Sequence, residues 1–129
     1  MVADVLQILI VEDIASMREL LVHTFEGMRG FAVSGTAGNG WEARIELSRR
    51  RPDLILLDEI LPGESAEDLL QQFAQEGIPV ILLTSVAQPS HVLPALAKGR
   101  VQKPSWNSID QYRPQLQEQI LKMLGRHLQ

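Results

Sequence analysis

Three short apolar runs constrain this chain more than any other feature. Leu6 to Val11 (LQILIV), Leu54 to Leu57 (LILL) and Ile78 to Leu83 (IPVILL) are apolar almost throughout. A strand with one wet face alternates apolar and polar residues, whereas a continuously apolar strand needs cover on both faces. The runs are too short for ordinary helices, and none approaches the roughly 18 residues that a membrane helix needs. They read as strands of a parallel sheet with helices on both sides.

The segments between them agree. Ser16 to about Met28 carries apolar positions at helical spacing (Met17, Leu20, Leu21, Phe25, Met28), and Ser16 with Glu19 has capping-box spacing. Phe31 to Thr36 alternates like a weaker strand. Asn39 to about Arg50 reads as a helix, with Trp41 expected in the core and the basic run Arg49 to Arg51 at its C-terminal end. Pro52 stops it. Ser65 to about Glu76 is a helix opened by Ser65 and ended by Gly77. A short helix is expected within Ser90 to Lys98, ended by Gly99 and shortened by Pro89 and Pro94. Arg100 to Gln102 is a short strand, and Ile109 to about Leu124 is the last helix, with Tyr112, Leu116, Ile120 and Leu121 on its apolar side. Five strands thus alternate with five helices. At 129 residues this is one domain, 1–129, an α/β three-layer sandwich.

Composition narrows the chemistry. The chain has no cysteine, so disulfides, thiolate metal sites and a cysteine nucleophile are excluded. Its first residues lack a signal-peptide pattern, and a cytoplasmic location is expected. Net charge is −4, which argues against nucleic acid as a direct partner. Residues 98–129 hold six Lys and Arg against two acids, leaving −8 on the rest. That tail is either a solvated helix face or a docking surface for an acidic partner.

The polar residues that interrupt the apolar strands all stand at carboxyl ends. Strand one runs into Glu12-Asp13, strand three into Asp58, strand four into Thr84-Ser85, and strand five into Lys103-Pro104. In open parallel sheets that edge is where ligands sit. A single Asp there is usually a helix cap or turn former. Three carboxylates on one edge repel one another unless a cation joins them. A hard divalent ion, Mg²⁺, suits few carboxylates, retained waters and a phosphate. A hydroxyl and an ammonium beside it make a receptor for a phosphoryl group, and one carboxylate can be the nucleophile. Lys103-Pro104 is also a candidate for a cis peptide that would aim the Lys side chain.

Taken together, "ILIVED", "LILLDEILPG", "VILLTS" and "VQKPS" resemble the receiver domain of bacterial two-component response regulators. "VEDIASMRELL" and "KPS" are similar in detail to the receiver of chemotaxis methylesterases. The esterase domain would need much more chain, so the sequence reads as a stand-alone receiver or as one cut from a longer protein. The resemblance implies a flavodoxin-like (βα)5 fold with strand order 2-1-3-4-5. It implies that Asp58 accepts a phosphoryl group from a histidine kinase. Glu12, Asp13, Asp58 and the backbone carbonyl of Ile60 would hold Mg²⁺, while Thr84 and Lys103 would contact the phosphoryl group. The implied partners are a histidine kinase or phosphotransfer protein and a downstream effector protein or domain, with a homodimer as a further option and no membrane. The output would run through the fourth helix, strand five and the last helix.

The sequence departs from the family at several points. Arg100 stands three residues before Lys103, where receivers commonly carry an aromatic that moves inward on phosphorylation. Lys103 lies only 19 positions after Thr84, and Glu64-Ser65-Ala66-Glu67 replaces the usual Asp-Gly pair. Ile60 and Val86 occupy positions that tune hydrolysis in the family; both are apolar and cannot orient water, so a long-lived phosphate is expected. Trp106 is either an exposed partner anchor or a loop-packing residue, and His23, His91 and His127 show no ligand spacing. Beside the switch stand two other readings. One is a phosphorylation-independent binding module. The other is an aspartyl-phosphate hydrolase, which would need an Asp at Ile60. In the leading reading the chain is not a conventional enzyme, since its only catalysis is its own phosphorylation and dephosphorylation.

Overall fold

The computed structural model describes residues 5–86 and 92–126. The elements are β1 (Leu6–Val11), α1 (Ala15–Glu26), β2 (Phe31–Ala37), α2 (Gly40–Arg49), β3 (Leu54–Asp58), α3 (Ala66–Gln75), β4 (Val80–Thr84), β5 (Gly99–Gln102), a 3₁₀ turn (Trp106–Ser108) and α4 (Ile109–Met123). The sheet is parallel, with order β2-β1-β3-β4-β5. This is the flavodoxin-like order expected from the sequence.

The continuous apolar strands do what their composition requires. Ile8, Ile10, Leu54, Leu56, Ile81 and Leu83 face α1 and α4, packing on Leu21, Phe25, Leu116 and Ile120. Their neighbours Leu9, Val11, Ile55, Leu57, Val80 and Leu82 face α2 and α3, packing on Ala43, Leu69, Leu70 and Phe73. The two cores lie back to back across one sheet, with successive side chains sent to opposite faces. Asn39 and Ser65 cap α2 and α3, each side chain accepting from the backbone N–H three residues on. Gly77 ends α3 at φ +75°, a conformation that only glycine enters without strain. The α1 and α4 layers are tied together by Arg113, which donates from Nε to the Thr24 carbonyl at 2.9 Å and from Nη2 to that of His23 at 3.0 Å.

Four expectations are corrected. The capping box does not form, because α1 starts at Ala15 with Ile14 at the cap position and no side-chain cap. The Glu12 carboxylate instead accepts the Ile14 N–H at 3.1 Å. Trp41 is not core; it is 70% exposed, because Gly40 and Ala43 take the buried positions of α2. The helix expected within Ser90 to Lys98 is absent over 92–98, and Ser90 and His91 lie outside the described residues. Pro94 removes a donor and turns Leu93 away from helical backbone. Gly99 opens β5 instead of ending a helix, and it does so against Met123, whose Sδ would collide with any added Cβ. Among the described residues there are thus four α-helices, not five. Finally, the Lys103–Pro104 peptide is not cis.

Leu56 is fully buried in the middle of the sheet. Leu56→Ala should therefore cost roughly 2–5 kcal/mol of stability, read as a lowered urea midpoint with an unchanged denaturant slope.

Candidate functional site

Strand register assembles the site. Val11 pairs with Leu57, so Glu12-Asp13 and Asp58 leave the sheet side by side. Asp58 pairs with Leu83, and Thr84 with Gln102, which places Lys103 one residue beyond. Backbone bonds hold this edge: Glu12 N–H to Ala37, Glu59 N–H to Leu83, and Lys103 N–H to Thr84 at 2.7 Å.

Glu12, Asp13 and Asp58 each present a carboxylate oxygen, and these oxygens lie within 4.8 Å of one another. Glu12 is 0% exposed and Asp58 4%, while Asp13 opens to solvent. The Lys103 ammonium sits 2.7 Å from Glu12 Oε1 and 3.2 Å from Asp58 Oδ2. The Ile60 N–H donates to Asp58 Oδ1 at 3.0 Å. Thr84 is buried beside Asp58, lining the same cavity, and its Oγ1 accepts the Val86 N–H at 3.3 Å. Ile60 and Val86 are exposed at the mouth.

Burial pushes the Asp58 carboxyl up to about 6, and the charge of Glu12 adds to the rise; the Ile60 N–H and Lys103 oppose it without cancelling it. Burial acts to lower Lys103, but hydrogen bonding and charge from Glu12 and Asp58 outweigh it and hold its ammonium above the usual lysine range. One ammonium is therefore shared between two buried carboxylates. Glu12 Oε1 has no hydrogen-bond partner beyond this ion contact. A buried, under-satisfied carboxylate oxygen among all-oxygen donors fits a hard divalent cation.

Two residues near the site escaped the sequence reading. Arg18 donates to the backbone carbonyls of Glu12 at 2.7 Å and of Asp13 at 3.3 Å, fixing the turn that carries both acids. Its spacing of five and six residues was the available signal. Glu59 pairs with Arg100 from β5; nothing in the sequence links positions so far apart. The basic tail also looks different in three dimensions. Arg100, Lys103 and Arg113 are all engaged within the molecule, which leaves less of its charge for an acidic partner.

The Asp58 shift has a stability consequence. Its carboxyl is raised from 3.8 to about 6, so the fold favours the protonated form. That contribution is full below 3.8 and lost as pH rises through about 6. At pH 7 without divalent cation the ionised group opposes folding by up to about 3 kcal/mol. Asp58→Asn should therefore melt higher than the parent at pH 7, with the gap closing toward pH 4. Adding Mg²⁺ should raise the melting temperature of the parent more than that of the variant. Calorimetry across pH, with and without Mg²⁺, checks both.

The comparisons with known proteins point one way. Residues 8–107 match the response regulator receiver domain family. A protein-glutamate methylesterase/protein-glutamine glutaminase of Bacillus licheniformis is 32% identical over 95% of this chain. The chain spans 38% of the length of that relative. CheY6 of R. sphaeroides, solved in complex with the P1 domain of CheA3, gives a likeness with TM-score 0.80 at 27% identity, covering 95% of this chain and 98% of the other. The response regulator TrrA of Thermotoga maritima, solved with Mg²⁺-BeF, gives TM-score 0.71 at 28% identity, covering 91% of this chain and 97% of the other. With its strand order and its acidic strand-end cluster, the chain belongs to the response regulator receiver family.

Proposed function

We propose that this receiver, residues 1–129, is a phosphorylation-dependent switch whose phosphoacceptor is Asp58. The observation that carries the reading is the buried Asp58 carboxylate at the end of β3, with an ammonium 3.2 Å away and two further carboxylates beside it. Asp58 Oδ attacks the phosphorus of a phosphohistidine in line. The new P–O bond forms as the P–N bond breaks, and the departing imidazole takes up a proton. Lys103 meets the negative charge on the transferring oxygens, and Thr84 donates to the phosphoryl group once it is in place. Glu12, Asp13, Asp58 and the Ile60 carbonyl would hold Mg²⁺, which supplies charge neutralisation at the transferring oxygens. The hydrogen bond from Thr84 exists only in the phosphorylated state, so it can shift a two-state equilibrium.

The partners follow from the same reading. A histidine kinase or phosphotransfer domain supplies the phosphoryl group, in keeping with the CheA3 P1 complex of the R. sphaeroides relative. The phosphorylated chain then acts on an effector protein or domain, or on a second copy of itself, from the side of β5 and α4. Neither nucleic acid nor membrane is a direct partner. Among the described residues no helix is long and apolar enough to cross a membrane, and the cytoplasm is the compartment proposed. The second reading, a phosphorylation-independent module, is favoured by Arg100, which is ion-paired where the family commonly has an aromatic, and by the lack of a helix over 92–98.

Intact mass after incubation with acetyl phosphate decides between them. One added phosphoryl group is expected, dependent on Mg²⁺ and absent in Asp58→Asn. Equal labelling of Asp58→Asn would move the nucleophile elsewhere. No labelling by acetyl phosphate or by a cognate kinase would favour the module. The label should persist for minutes or longer, since Ile60 and Val86 at the mouth offer no hydrogen bond from a side chain to an attacking water. Loss within seconds would overturn that expectation.

A further inference from the structure

Arg100 joins the site to the strand at the sheet's edge. It lies on β5 opposite Leu82 of β4, on the face that carries α2 and α3; the next residue, Val101, packs into the opposite core. Its side chain is 14% exposed and that of Glu59 is 21%, so their ion pair is largely withdrawn from water. One cavity of about 360 Å³ holds both partners. Asp58, Thr84, Glu59 and Arg100 line it, over an apolar floor that includes Leu70 and Leu82.

This placement has a chemical consequence. Glu59 follows Asp58 directly, so the phosphoacceptor and the anion that holds Arg100 are adjacent in the chain. A phosphoryl group on Asp58 would bring to the same cavity up to about two negative charges and three acceptor oxygens. A guanidinium binds phosphate oxygens in a fixed fork, as it does a carboxylate, and a phosphoryl group offers it more charge and more acceptor oxygens. A partly buried arginine favours the stronger anion within its reach, and a phosphoryl group on Asp58 would add one to the cavity that Arg100 lines.

We propose that Arg100 reads the state of Asp58 by exchanging partners. Glu59 holds it when Asp58 carries no phosphoryl group, and a phosphoryl oxygen takes it when one is present. The exchange displaces the side chain of a β5 residue and releases the Glu59 carboxylate beside α3. It rests on Asp58 being the phosphoacceptor, and it gives this chain an ionic link between the site and β5.

The test uses the full chain, ¹⁵N-labelled, with beryllofluoride and Mg²⁺ as the phosphoryl stand-in. The Arg100 Nε–H resonance is assigned by its loss in Arg100→Lys. It should move on addition of beryllofluoride with Mg²⁺ and stay in place with Mg²⁺ alone. Glu59→Gln, which weakens the competing anion, should tighten beryllofluoride binding by about 3- to 10-fold, and Arg100→Lys should weaken it by a similar factor. If the Ile60 amide reports binding while the Arg100 resonance is unmoved, the exchange is overturned and the phosphoacceptor reading stands. If beryllofluoride does not bind, and intact mass shows no phosphoryl group from either donor, both fall together.

Discussion

The structure turns on one ammonium group shared by two buried carboxylates. Lys103 reaches Glu12 and Asp58 from the end of β5, and those acids come from the ends of β1 and β3. Three strands are thereby joined by charge at the edge where backbone pairing stops. The arrangement is deficient in positive charge, since Asp13 adds a third carboxylate within 4.8 Å. Burial is the main reason that Asp58 holds its proton more tightly than an ordinary aspartate, and the deficit adds to it through Glu12. The deficit also suits the proposed ligands: a divalent cation would supply the missing charge, and a phosphoryl group would be drawn to the cation and the lysine. Stability surrendered by burying the acids would then reappear as affinity for them.

Much of the fold and most of the candidate site were legible in the sequence, for a definite reason. Strands covered on both faces cannot tolerate polar residues, so the positions where polarity appears mark the strand ends. Glu12, Asp58, Thr84 and Lys103 stand out for that reason alone, and parallel topology then puts them on one edge. What the sequence hid depends on competition between neighbours. Ser16 had capping-box spacing, yet the Glu12 carboxylate already engages the Ile14 N–H and helix α1 begins one residue before Ser16. Trp41 is apolar enough for the core, but the buried positions of α2 are taken by Gly40 and Ala43, with Leu47 partly buried against the same core. Pairing of Glu59 with Arg100 spans 41 residues and has no local signature.

The connection between β4 and β5 shows how a departure from family pattern acquires physical meaning. The described part of it, 92–98, is an irregular segment rather than a helix, although Ala97 still reaches the core of the α2–α3 face. Beside the described part lies an apolar-floored cavity lined by an ion pair. Arginine at that position is tolerable because Glu59 is there to meet it. The two residues are best regarded as one feature.

Arg113 has a mechanical consequence. By gripping the last carbonyls of α1 from within α4, it makes those helices one plate on one side of the sheet. On the opposite side Arg44 of α2 reaches Gln72 of α3 and Glu64, and the described cover over β4 and β5 is an irregular segment. A disturbance at the strand ends therefore meets, on the face of α1 and α4, two helices that must shift together.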